Sequence, residues 1–169
     1  MKKKGKHIVG DAHFNRHIVG HAHFNRIYGP YMSASEKGYP AIMDEAVYHF
    51  YTAKLPLQTV CVGYTTFTEV SEGVFLVGNT WVHEDWRGEG LHEDILKSRN
   101  DWLQHGHIAS DIYTLLNPQD TTKIHQLRHV VSKLDYKPKR LWSAKGIPLK
   151  VRFQIWRSGL ELWGKKFDS

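Results

Sequence analysis

The sequence predicts an α/β (α+β) domain, a mixed sheet with helices on both faces. Its 169 residues, 41% hydrophobic and 24% charged, are enough for one domain with a full core. β-rich runs and helical apolar stripes alternate through the centre of the chain, the pattern of sheet covered by helices. The stretch VHEDWRGEGLH, residues 82–92, then joins an apolar strand end to an apolar helix start through an arginine and two glycines. A single domain is expected, with residues 1–39 as an N-terminal strand region and 40–169 as the core.

The N-terminal region holds a tandem repeat, HIVGDAHFNR at 7–16 and HIVGHAHFNR at 17–26. Its even period keeps strand parity from copy to copy, whereas a helix would rotate the second copy away from the first. A strand is therefore predicted, with histidines on one face. His13, His21 and His23 raise a metal hypothesis. No carboxylate or thiolate completes a ligand spacing, so a solvated strand face is expected and no metal is assigned.

Residues 40–54, PAIMDEAVYHFYTAK, carry Met43, Ala46, Val47 and Phe50 at helical spacing behind Pro40, which predicts a helix. LQTVCVGYTTFTEV and GVFLVGNTWV then read as antiparallel strands joined at Ser71, Glu72 and Gly73. After the glycine stretch, Leu91, Ile95, Trp102 and Leu103 trace a helix ending near Gly106. DIYTLLN is the next strand. A helix capped by Asp120 or Thr121 follows, with Ile124, Leu127, Val130, Val131 and Leu134 as its buried stripe. KRLWSA and LKVRFQIW read as a closing pair of strands.

Composition narrows the partners. The net charge of +6 attracts phosphate esters, nucleic acid or an acidic protein, unless Lys2, Lys3, Lys4, Lys165 and Lys166 are only solvated tails. The one cysteine, Cys61, lies in the apolar run TVCVGY and is expected to be a buried hydrophobe in a reducing compartment. No apolar run has signal-peptide or membrane-spanning length, which leads to the expectation of a soluble, cytoplasmic protein without a membrane partner.

A strand feeding through Arg87, Gly88, Glu89 and Gly90 into a helix leaves backbone N–H groups unpaired at the positive end of the helix dipole, an anion site. It is not a Walker loop, since no lysine followed by Ser or Thr comes after the second glycine. Nor does it continue to the third glycine of the dinucleotide pattern. A plain glycine turn is the other reading.

The order Val82, Arg87-Gly88-x-Gly90-Leu91, then Ile95 and Leu96, resembles the acyl-coenzyme A signature of the GNAT N-acetyltransferase superfamily, commonly Val-x-Pro-x-x-Arg-Gly-x-Gly-x-Gly or Ala. The strand DIYTLLN and the segment Lys133-Leu-Asp-Tyr-Lys137 extend the resemblance over about residues 40–157. It implies a mostly antiparallel central sheet and transfer of an acetyl group from acetyl-coenzyme A to a primary amine on a small molecule or protein. By the same resemblance, backbone N–H groups from Arg87, Gly88, Glu89, Gly90, Leu91 and His92 would hold the pyrophosphate. Thr80 and Val82 would pair with the pantetheine arm, and Asn117 would face it unless it is simply a turn residue before Pro118. Three positions depart from the pattern: Glu84 for proline, His92 for a small residue, and Val131 for the tyrosine that protonates the departing thiolate. Thr80, Asn117 and His125 are the catalytic candidates, the first two through an ordered water. A nucleic-acid acceptor and a non-catalytic coenzyme A-binding or partner-binding module are the alternatives, and a homodimer is one option for the assembly.

Overall fold

The computed structural model describes residues 15–20, 26, 47–54, 57, 59–88, 90–107 and 109–167. Seven strands form one sheet: β1 (Asn15–Gly20), β2 (Val47–Lys54), β3 (Thr59–Ser71), β4 (Val74–Val82), β5 (Asp111–Leu116), β6 (Lys137–Pro138) and β7 (Glu161–Lys166), in the order β1-β2-β3-β4-β5-β7-β6. Three α-helices are described: α1 (Leu91–Gly106), α2 (Ile124–Lys133) and α3 (Leu149–Ser158). β1 with β2, β5 with β7 and β6 with β7 are antiparallel. The two-residue turn at Glu72 and Gly73 makes β3 and β4 a hairpin, and only β4 with β5 is described as parallel. The sheet is mixed and mostly antiparallel, as the sequence led us to expect.

The chain forms two compact units. The first contains β1, β2, β3 through Thr66, β4 from Asn79 and α1 through Asn100. Its core joins Tyr51, Ala53, Val62, Val82, Trp86, Leu91 and Ile95, with Val60 at the margin. Each fully buried side chain of this size contributes roughly 1.5–3 kcal/mol. Cys61 is fully buried, and desolvation pushes its thiol up to about 12, which makes it an inert hydrophobe.

The second unit contains the β3–β4 turn, the end of α1 and everything from β5 onward. Phe67 lies 5.4 Å from Trp102, whose ring meets His107 at 4.0 Å. Arg152 on α3 organises the connection before it. Its Nε donates to the Ile147 carbonyl at 2.7 Å and its Nη1 to Leu141 at 2.9 Å, while Nη2 donates to Ala144.

Three expectations are corrected. Residues 47–54 are a strand, because Val, Tyr, Phe and Thr suit a pleated surface, and β2 is buried from His49 to Ala53. The earlier part of that expected helix, 40–46, lies outside the described residues. The expected closing strands are instead a 3₁₀ turn, Leu141–Ser143, and the helix α3. Pro148 precedes α3 and Gly159, left-handed at φ 71°, ends it; Val151 and Ile155, one turn apart, are its buried pair. The closing strands are β6 and β7, so Lys165 and Lys166 belong to a strand; the Lys165 Nζ donates to the Leu134 carbonyl at 3.1 Å. Neither Asp120 nor Thr121 caps α2 by a side chain. The Asp120 carbonyl accepts from the Ile124 N–H at 2.9 Å instead. The repeat expectation holds for 15–20, a strand across the junction of the two copies; His13, His21 and His23 lie outside the described residues.

Candidate anion-binding loop

The loop of interest leaves β4 at Val82. The His83 N–H still donates to the Val62 carbonyl at 2.8 Å, which holds the strand end against β3. A single 3₁₀ turn, Glu84–Trp86, follows, with the His83 Nδ1 accepting from the Asp85 N–H at 3.1 Å. Because Nδ1 accepts, a neutral His83 carries its proton on Nε2. Trp86 turns back into the core cluster at 4% exposure, and its Nε1 has no partner among the described residues.

Arg87 folds against the strand it follows. Its Nε donates to the Val82 carbonyl at 2.8 Å, and its N–H closes the 3₁₀ turn on Glu84 at 3.3 Å. Gly88 and Gly90 both take φ 80°, a left-handed conformation that L side chains rarely adopt. A Cβ built on either would meet nothing within 4 Å. The Asp94 N–H donates to the Gly90 carbonyl at 3.2 Å, the first bond of α1. The N–H groups of Gly88, Gly90, Leu91 and His92 have no acceptor among the described residues. Unpaired donors thus gather at the positive end of a 16-residue helix, beside open space.

His92 is half-buried in the first turn of α1. Burial, and then the Arg99 guanidinium, hold its imidazole below the ordinary 6.5, against a smaller opposing pull from Glu93. It is neutral at neutral pH. The position thus carries bulk and a donor, without a fixed charge.

The first unit also encloses a buried cation. Arg99 is 2% exposed; its Nη1 donates to Thr65 Oγ1 at 2.8 Å, and Nε and Nη2 both donate to Asn100 Oδ1, at 3.3 and 3.2 Å. Thr65 Oγ1 lies 3.0 Å from Thr80 Oγ1. Arginine only donates, so Thr65 Oγ1 accepts from Arg99, and either hydroxyl can donate between Thr65 and Thr80. Arg99 stands four residues after Ile95 and four before Leu103 on the apolar stripe. That spacing, read on its own, places a cation in the core.

The sequence candidates separate into two groups. Thr80, Val82, Arg87, Gly88, Gly90, Leu91 and His92 are brought together in the first unit, while Glu89 lies outside the described residues. Asn117 and His125 belong to the second unit. The Asn117 Oδ1 accepts from the Gln119 N–H at 3.0 Å, the turn role open to it from the start, and His125 is exposed on α2. The described β4–β5 ladder pairs 74–77 of β4 with 111–114 of β5, within the second unit. Arg99, Trp86 and His83 were not among the candidates.

No protein-family model matches the chain, and no curated protein matches it. Solved structures do. One is the IAA acetyltransferase from Bacillus cereus, similar over 91% of this chain and 99% of its own at TM-score 0.60 and 12% identity. A Bacillus subtilis acetyltransferase in complex with CoA is similar over 91% and 100%, at TM-score 0.58 and 13% identity. The ribosomal-protein-S5-alanine acetyltransferase from Vibrio fischeri is similar over 93% and 94%, at TM-score 0.58 and 12% identity. No helix among the described residues is long and apolar enough to cross a membrane. The chain has the fold of the GNAT N-acetyltransferases.

Proposed function

We propose that the protein is an acyl-coenzyme A-dependent N-acyltransferase that moves an acetyl group from acetyl-coenzyme A to a primary amine. The carrying observation is the loop: two left-handed glycines open to space, followed by unpaired N–H groups at the start of α1. Those donors suit the pyrophosphate, and the absence of a Cβ at Gly88 and Gly90 allows close approach. His92, neutral and half-buried, is a further donor to phosphate. Along β4, the Thr80 and Val82 main chain would align the pantetheine arm, and an N–H there would polarise the thioester carbonyl. The Val82 carbonyl already accepts from Arg87, so this exposed arginine also braces the strand end. An amine-bearing small molecule or protein is the acceptor class, the protein case in keeping with the name of the ribosomal-protein-S5-alanine acetyltransferase.

Calorimetry tests this directly. Coenzyme A should bind the parent protein, and Gly90→Glu, which puts a carboxylate where pyrophosphate would lie, should weaken binding at least a hundredfold with the circular dichroism unchanged. No affinity at millimolar coenzyme A would end the proposal. A second reading, a coenzyme A-binding module without turnover, is favoured by Val131, an apolar residue at 7% exposure where the family pattern has an acid. Turnover of acetyl-coenzyme A with a panel of amines separates the two.

A further inference from the structure

Outside the loop, one stretch of the second unit departs from the rest in both charge and exposure. Residues 136–160 contain seven Lys and Arg and no Asp or Glu, more positive charge than the net +6 of the whole chain. Arg152 is committed to three carbonyls, but Lys137, Lys139, Arg140, Lys145, Lys150 and Arg157 are all exposed. Among these cations stand large apolar side chains. Leu149 is 64% exposed, Phe153 50% and Trp156 64%, at i, i+4 and i+7 on one face of α3, and Trp142 is 52% exposed with its ring 5.5 Å from Phe153. α3 buries Val151 and Ile155 on its other side, so this second apolar ridge does not serve the unit's own core. The ridge adjoins, at Leu141 and Trp142 in the chain, a cleft of about 520 Å³ lined by Pro138, Lys139, Leu141, Leu160, Leu162 and Trp163 together with Arg128 and Glu161, whose charges pair with each other.

We propose that this face docks an acidic, amphipathic helix of a protein partner, with apolar side chains against Leu149, Phe153 and Trp156 and carboxylates among the flanking cations. Charge complementarity selects an anionic occupant. A second copy meeting this face across a two-fold axis would set cations against cations. Strand addition is blocked, because β6 is two residues long and Pro138 has no N–H to offer. Single-stranded nucleic acid needs flat stacking platforms, yet Trp142 and Phe153 cross at 74° and Leu149 offers no ring. A lipid surface would meet the ridge and leave the leucine-lined cleft unfilled, whereas side chains of a folded partner fill both.

A random 16-residue peptide library displayed on phage, selected against the intact protein, tests the proposal. The expected winners combine Asp and Glu with Leu, Phe or Trp at helical spacing. As synthetic peptides they should bind at least tenfold more weakly to Phe153→Ser/Trp156→Ser and to Lys150→Glu/Arg157→Glu. These are exposed positions, so both variants should match the parent in circular dichroism and in coenzyme A affinity, which keeps this test separate from that of the loop. The proposal is overturned if no peptides enrich, if the winners lack acidic residues, or if both variants retain them. It is also overturned if phosphatidylcholine–phosphatidylserine vesicles or a twenty-nucleotide oligo-dT bind in a variant-sensitive way and the peptides do not.

Discussion

Left-handed glycines occur in two settings that share a backbone conformation and differ in their surroundings. Gly88 and Gly90 in the first unit have φ 80°, and a side chain on either would enter empty space. Gly146 in the second unit has φ 79°, but its Cβ would lie 2.5 Å from Val74 Cγ2, while Ser71 Oγ donates to its carbonyl at 2.5 Å. One glycine is needed because the fold fills the space beside it. The other two leave space that the fold does not use. Positive φ alone therefore does not mark a binding loop; our proposal rests on positive φ beside a vacancy and unpaired donors.

The largest effect should come from filling the packed glycine. Gly146→Val combines left-handed strain for a β-branched residue with overlap on a buried, stiff valine. We expect a loss of about 4 kcal/mol in urea unfolding, roughly half from each source. Coenzyme A affinity of the folded fraction should not change. If unfolding moves by less than a third of that, Gly146 is not the packed structural glycine described above.

Gly88→Ala should do the opposite. Only conformational strain applies, about 1–2 kcal/mol, while the methyl group enters the space proposed for phosphate and should weaken coenzyme A about tenfold. Gly88→Asn sharpens the contrast, since asparagine tolerates the left-handed region. It should recover most of the stability and none of the binding. Recovery of both would mean that the vacancy at Gly88 has no ligand to serve.

The smallest effect concerns pH. His92 titrates below 6.5 in the folded protein, so the unfolded chain binds the extra proton first as pH falls. Its share of stability is complete above 6.5 and is lost as pH drops from there through the folded value. His92→Gln should flatten that part of the stability profile. A ligand pyrophosphate should pull the imidazole back up, seen as an upward shift of its NMR titration midpoint on adding coenzyme A. A downward shift would place the phosphate elsewhere.

Legibility in the sequence varied with the number of independent signals that agreed. The β3–β4 hairpin and α1 were readable because strand composition, the turn at Glu72 and Gly73, and the stripe from Leu91 to Leu103 pointed the same way. Two segments were read in reverse. Val47 and Phe50 imitate helical spacing in a strand that is buried on both faces and so has no alternation to show. Leu149, Val151, Phe153 and Ile155 imitate strand alternation in a helix that keeps only Val151 and Ile155 inside. Pro148 and Gly159 were the better guides there, since caps act on the backbone whatever the side chains face.

The sequence by itself determined the local chemistry: the glycine-bearing strand-to-helix junction and its exposed backbone donors. Those follow from backbone geometry within a few residues. Only the tertiary structure decided which apolar faces were buried, that Arg99 would be enclosed beneath Thr65 and Thr80, and that Gly146 would be packed while Gly88 and Gly90 stay open. Burial depends on residues far apart in the chain arriving at one place. No window of neighbouring residues contains that information.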